Sequence, residues 1–171
     1  MLIAEKIGRK KLIFITVGSR EYPFDRLLEQ IDYLLEIGEI KEKVFAQIGQ
    51  STYIPKHFSF KRFVSQEEFS KYQDEAHIII SHGGTGSLIG ALKKEKKVIA
   101  VPRLAKFKEH IDDHQMQVSS VLHEENFLVM VTDIKELGVA IKELENNSVQ
   151  IKKYDKPSHV LEVIDNFISN L

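Results

Sequence analysis

Along most of the chain, short apolar runs rich in β-branched and aromatic residues alternate with longer runs whose apolar residues recur at helical spacing. No other feature narrows the fold as much. Residues 11–17 (KLIFITV), 43–49 (KVFAQIG), 58–64 (FSFKRFV), 77–81 (HIIIS), 97–102 (KVIAVP) and 126–132 (NFLVMVT) read as strands. Continuous apolar runs of this length suit strands covered on both faces. Between the first two, Phe24, Leu27, Leu28, Ile31, Leu34 and Leu35 form one helical stripe. Pro23 suits the first turn of that helix and Gly38 its end. Ser65 and Glu68 stand at capping-box spacing and predict a helix over 65–76. Further helices are expected from Thr85 or Gly86 to Lys94, over 112–125, and from Asp133, with Glu136 as its capping partner. A last amphipathic helix is expected from Pro157 or Ser158 onward. This alternation predicts one α/β domain over residues 1–171, a Rossmann-like parallel sheet with helices on both faces. Residues 1–10 are expected to be a flexible leader.

Composition narrows the partners. The formal net charge is -1, so no strong field draws the chain to a polyanion, and nucleic acid is not expected. There are no cysteines, which excludes disulfides, thiolate metal sites and cysteine nucleophiles and fits a reducing compartment. No apolar run approaches the ~18 residues that a membrane span needs. The opening MLIAEKIGRKK carries its charges after a very short apolar patch, unlike a secretory signal. The chain is therefore expected in the cytoplasm, reaching a membrane only through a partner.

In a parallel sheet of this kind, ligands bind outside the carboxyl ends of the strands. The loops there read GSREY, GQSTY, SQEE, HGGTGS and RLAKFKEHIDDHQ. The segment SHGGTGS (81–87) stands out. Glycines let backbone approach a ligand closely, and the helix that follows turns its free N–H groups and positive dipole end toward the loop. Together these make an anion site. Spacing removes three alternatives. A P-loop needs Lys after its last glycine. A nucleophile elbow needs Gly two residues before its serine, where Thr85 stands. The dinucleotide fingerprint begins with Gly84 and Gly86 but then meets Ile89. His110 and His114 have the spacing of a metal pair, yet a third ligand is missing and no metal is expected. The basic run 93–97 (KKEKK) falls at the far sheet end and reads as a solvated face. Arg103, Lys106 and Lys108 fall at the ligand end, where a cation can balance a diphosphate or approach a phospholipid.

The segments IFITVGSREYPFDRLLEQID, QIG, FSFKRFV, IIISHGGTGSLIGALKKEKKVIAVPR and EHIDDHQMQ, in this order, resemble the C-terminal domain of family 28 glycosyltransferases. Small one-domain members are the nearest in kind. They are the PssE type of exopolysaccharide and capsule subunit, and the catalytic subunit of the dolichol-linked N-acetylglucosaminyltransferase. The resemblance runs from about Lys11 to Leu122. It implies the donor-binding half of a GT-B enzyme, an inverting hexosyltransferase that takes a UDP-sugar and needs no metal or other cofactor. It also implies a membrane-anchored partner subunit holding a lipid-linked saccharide acceptor, with this chain at the inner membrane face through that partner. Self-association of the isolated chain is left open. By the same resemblance, Gly83, Gly84, Thr85, Gly86 and Ser87 receive the donor diphosphate. His82 stands beside it, and Gly18 and Ser19 line the cleft. Main chain at Phe63 and Val64 reads the base, and Asp113, His114 and Gln115 reach the sugar hydroxyls. Many relatives hold the ribose with a glutamate where this chain has Gly90, so that contact must come from elsewhere. The catalytic base is expected on the partner, with His82 the weaker candidate. Two rivals stand beside this reading, a non-catalytic scaffold subunit and a stand-alone nucleotide-sugar hydrolase or epimerase.

Overall fold

The computed structural model describes residues 11–154 together with Glu162 and Asn166. The expected leader, and the C-terminal helix apart from those two helical residues, lie outside the described residues. The elements run β1 (Leu12–Thr16), α1 (Asp25–Glu36), β2 (Lys43–Gln47), β3 (Ser59–Lys61), α2 (Gln66–Glu75), β4 (Ile78–Ser81), α3 (Thr85–Lys93), β5 (Lys97–Ala100), α4 (His114–Glu124), β6 (Val129–Met130) and α5 (Leu137–Glu145). Short 3₁₀ turns stand at Ala105–Phe107 and Ile134–Glu136.

All strand pairs are parallel, in the order β3-β2-β1-β4-β5-β6. Chain order reverses between β1 and β4, which opens a crevice over their carboxyl ends. β1 shows why its sequence can sit at the centre. Every residue is buried, and alternate side chains feed two cores. Ile13, Ile15 and Val17 pack with Leu27, Leu28 and Ile31 of α1 and Ile141 of α5. Leu12 and Phe14 pack with Leu88 and Leu92 of α3 and Leu122 of α4.

Several boundaries differ from the sequence reading. α1 starts at Asp25, not Pro23, because Phe24 holds a non-helical backbone (φ -135°, ψ 53°) and gives its N–H to Ser51 Oγ at 3.1 Å, while the Asp25 carboxylate accepts from the N–H groups of Thr52 (2.8 Å) and Tyr53 (3.0 Å). β3 and β6 are shorter than expected, and β6 begins only after Asn126 has turned through a left-handed φ of 62°. Asp133 caps the 3₁₀ turn by accepting from Lys135 N–H at 3.0 Å, so α5 itself opens later, at Leu137. The loop GQSTY was expected at the ligand end. It folds down onto α1 instead, and Asp32 holds its continuation through Tyr53 Oη (2.6 Å) and the N–H groups of Lys56 (2.8 Å) and His57 (2.7 Å). Those hydrogen bonds outweigh the upward pull of burial and keep the Asp32 pKa below the usual carboxylate value.

Candidate functional site

The β4–α3 junction shows why it is built from glycine. Gly83 has a φ of +88°, and a Cβ there would lie 3.0 Å from Gln115 Cβ and 3.1 Å from Ser119 Oγ on α4. Only glycine lets the chain turn this closely against α4. Gly18, at the end of β1, has a φ of +80°, and its Cβ would come within 2.6 Å of His82 Nε2. A Cβ on Gly84 would collide with the same atom. The His82 imidazole is therefore seated between two bare backbones from neighbouring strands.

Gly84 is the N-cap of α3, and no side chain caps this helix. The first turn also carries no acidic residue. Its orphan N–H groups and positive dipole end face the cleft. Ser87 Oγ, one turn in, accepts from Ser81 Oγ at 3.1 Å. The cleft measures about 450 Å³ and is bounded by the loops after β1, β4 and β5. A second cavity, about 320 Å³, lies around Leu92, Lys97 and Tyr154, at the other end of the sheet and away from the strand carboxyl ends where ligands bind.

Beneath the cleft lies a buried cation. Arg103 is 1% exposed, donates from Nη2 to Val17 O, and lies over the Phe24 ring at 5.5 Å. Among the described residues it has no ion pair, and its Nε has no hydrogen-bond partner. The nearby Glu109 carboxylate is already taken by Arg26, at 2.8 and 2.9 Å, and by Leu104 N–H at 3.0 Å. Burial lowers the Arg103 pKa to about 10, so it stays charged at neutral pH. Burial, with the Arg103 charge second, pushes His82 down to about 4. His82 is thus neutral at pH 7. Its Nδ1–H donates to Thr16 O at 3.2 Å, which leaves Nε2 as the acceptor.

The structure gathers Gly18, Ser19, His82, Gly83, Gly84, Thr85, Gly86, Ser87, Arg103, His114 and Gln115 around one cleft. Gln115 Oε1 accepts from Arg103 N–H at 3.1 Å, leaving its amide NH₂ to donate. Two residues depart from the sequence reading. Asp113 turns away and accepts from Ala105 N–H at 2.9 Å, while Asp112 faces the cleft. Asp112 also accepts from His114 N–H at 3.0 Å, so α4 begins at His114 rather than Asp112. Burial works to raise the Asp112 pKa, but that N–H and the imidazoles of His110 and His114 outweigh it and hold the pKa low. Val64 is not in the cleft wall, and its N–H is already donated to Gln47 Oε1 at 3.1 Å. Arg20, His110 and Ile111 line the cleft without having been singled out as ligand contacts. The GSREY loop carried the signal for Arg20. His110 was visible only as half of a metal pair, and among the described residues no group of three metal-binding side chains forms.

Both the sequence and the fold have known relatives. The chain is 29% identical over 133 residues to the human UDP-N-acetylglucosamine transferase subunit ALG13, covering 71% of this chain and 11% of that protein. It is 27% identical over 138 residues to the subunit of the same name from Yarrowia lipolytica, covering 74% of this chain and 68% of the relative. The chain thus spans about a tenth of the human relative's length. Among solved structures, MurG of Acinetobacter baumannii superposes with a TM-score of 0.61 at 18% identity, over 95% of this chain and 50% of MurG. At that identity the likeness speaks to fold alone. Residues 12–167 match the glycosyltransferase family 28 C-terminal domain, and the chain belongs to that family.

Proposed function

We propose that this chain is the donor-binding subunit of an inverting hexosyltransferase, taking a UDP-sugar and working with a membrane-anchored partner that presents a lipid-linked saccharide. One observation carries the reading. The α3 N-terminus is uncapped, opened by Gly83 and Gly84, and backed by a buried, unpaired Arg103. A diphosphate fits it, because backbone N–H groups, the helix dipole and a desolvated cation all favour negative charge at one place. UDP-N-acetylglucosamine is the first donor to test, given the names of the relatives.

In the reaction, an acceptor hydroxyl attacks the anomeric carbon from the face opposite UDP. The bond to the β-phosphate oxygen breaks, UDP leaves with the electron pair, and the configuration inverts. The charge that grows on the leaving diphosphate is met by the α3 N–H groups and Arg103, fixed in place beforehand. No metal ion is invoked for that charge. Neutral His82 belongs to the phosphate wall. The hydroxyl proton passes to a base on the partner, since the acceptor approaches from the open side of the cleft. No helix among the described residues is long and apolar enough to cross a membrane. The anchor is assigned to the partner as part of this proposal. We place the product in exopolysaccharide or capsule assembly, at the inner membrane face.

Calorimetric titration with UDP, UDP-GlcNAc, UDP-Gal and UDP-Glc tests donor binding. Co-expression with the partner, scoring sugar transfer to membrane lipid, tests the reaction. Failure of every nucleotide to bind favours a scaffold subunit. Release of free sugar by the isolated chain favours a hydrolase or epimerase.

A further inference from the structure

The loop between β5 and α4 leaves two large apolar side chains in water. Phe107 is 50% exposed, and Ile111, on the same loop, is 73% exposed. The tip that carries them is fixed from several sides. Lys108 closes the 3₁₀ turn with a left-handed φ of 58°, unusual for a residue other than glycine, and donates its N–H to Ala105 O at 2.9 Å. Glu109, buried beneath the tip, ties it to Arg26 and to Leu104 N–H. Asp113 accepts from Ala105 N–H. Apolar side chains exposed singly are ordinary on a protein surface. Two of them on one braced loop, beside cations, form a surface of a particular chemistry.

The cations are Lys106 and Lys108, which flank Phe107 in sequence and are both exposed. Lys106 Nζ and the Arg26 guanidinium each lie 4.9 Å from the centre of the Phe107 ring. Arg26 is neutralised by Glu109, whereas neither lysine forms an ion pair among the described residues. Asp112 and Asp113, the other carboxylates of the loop, accept from backbone N–H groups. The longer basic run 93–97 is a contrast. There Lys96 and Lys97 reach the last-turn carbonyls of α2 and α5, Asp74 O and Leu144 O, at 2.6 Å each, and Lys94 pairs with the Asp74 carboxylate at 2.9 Å. Those lysines are engaged in finishing and bracing helices, and the two at the β5–α4 tip are not.

We propose that this tip is a lipid contact, with Phe107 and Ile111 entering the interface of an anionic phospholipid bilayer while Lys106 and Lys108 meet its phosphates. An aromatic ring beside ammonium groups suits the headgroup region. The ring leaves water there, and each long lysine stem keeps its charge at the phosphates. Charge complementarity favours lipid over a protein occupant, because the cores of protein interfaces are depleted in lysine. Ile111 also lines the cleft, so the contact brings the cleft mouth to the bilayer surface. It adds to the partner's anchor and requires neither partner nor nucleotide.

The test is sedimentation of the full chain with vesicles of phosphatidylcholine and with vesicles of phosphatidylcholine mixed with phosphatidylglycerol. Binding to the anionic vesicles should be about tenfold tighter, and added salt should weaken it. Phe107→Ser with Ile111→Ser, and separately Lys106→Glu with Lys108→Glu, should each weaken it by about tenfold. The chain has no tryptophan, so Phe107→Trp supplies a single reporter. Its emission should shift to the blue on anionic vesicles, which separates insertion of the tip from attraction through lysines elsewhere. A wild-type chain that does not bind anionic vesicles overturns the inference, as does binding that both double variants retain. Retained binding together with loss of association to the partner, or to a second copy, in the serine pair assigns the tip to a protein surface. Should a double variant fail to fold, the tryptophan decides, and an emission unmoved by vesicles that bind the chain overturns the inference. No arm uses a nucleotide, so failure here leaves the donor reading standing.

Discussion

Two helices begin at the same end of the sheet and are finished in opposite ways. α2 opens with a complete capping box. Ser65 Oγ accepts from Glu68 N–H at 3.1 Å, Glu68 Oε2 accepts from Ser65 N–H at 3.1 Å, and Glu67 and Glu68 place negative charge in the first turn. α3 opens on Gly84 with no capping side chain and no acid in its first turn. The first helix satisfies itself. The second leaves its N–H groups and its dipole for something else. A helix start left bare beside a buried cation favours an anion there, whereas one closed by its own side chains is already satisfied.

The largest expected effect comes from closing the open end. Gly84→Ala drives a methyl into the His82 ring, and UDP affinity should fall by about a hundredfold or more, because the α3 start can no longer approach the phosphates. Wild-type affinity in that variant would erase the contrast between the two helices. Next is Arg103→Met. Loss of a charge-assisted contact should weaken UDP binding by roughly tenfold to a hundredfold, read by calorimetry. The melting temperature should hold or rise, since an unpaired buried cation is removed.

A third effect follows from pH. The folded His82 pKa of about 4 lies below its usual value of 6.5. The unfolded chain therefore binds the proton more readily, and stability is complete above pH 6.5 and declines as pH falls toward 4. The loss amounts to about 3 kcal/mol at most. His82→Gln should flatten that part of a melting-temperature profile. An identical profile would show that the ring between Gly18 and Gly84 is no less basic than a free imidazole. The smallest effect belongs to the closed end. Ser65→Ala should cost about 1 kcal/mol of stability in a denaturant titration. UDP affinity should change by less than about threefold. A large loss of affinity there would mean that the α2 start also serves the ligand.

Much of the architecture was legible in the order of residues. Strand and helix identities, the α2 capping box and the glycine start of α3 rest on local spacing, and local spacing survives folding. Boundaries were less legible where a polar side chain found a distant partner. Phe24 ahead of α1 gives its N–H to Ser51 Oγ in the loop after β2, and Asp113 turns from the cleft to Ala105. The same holds for the loop after β2, whose small polar residues read as ligand contacts but serve α1 instead.

The sequence by itself determined the parallel sheet and the glycine loop at the carboxyl ends of its strands, because two-residue and 3.6-residue periods are properties of neighbours along the chain. The reversal of strand order between β1 and β4 is a matter of tertiary pairing. Only the tertiary structure decided that His82 lies between Gly18 and Gly84, that Glu109 is spent on Arg26 and leaves Arg103 unpaired, and that Gln73 faces Gly90. Those arrangements join side chains from separate strands, loops and helices, up to 86 residues apart for Arg103 and Val17. Which way a polar group turns depends on the burial and the partners that packing provides, and no local pattern records them.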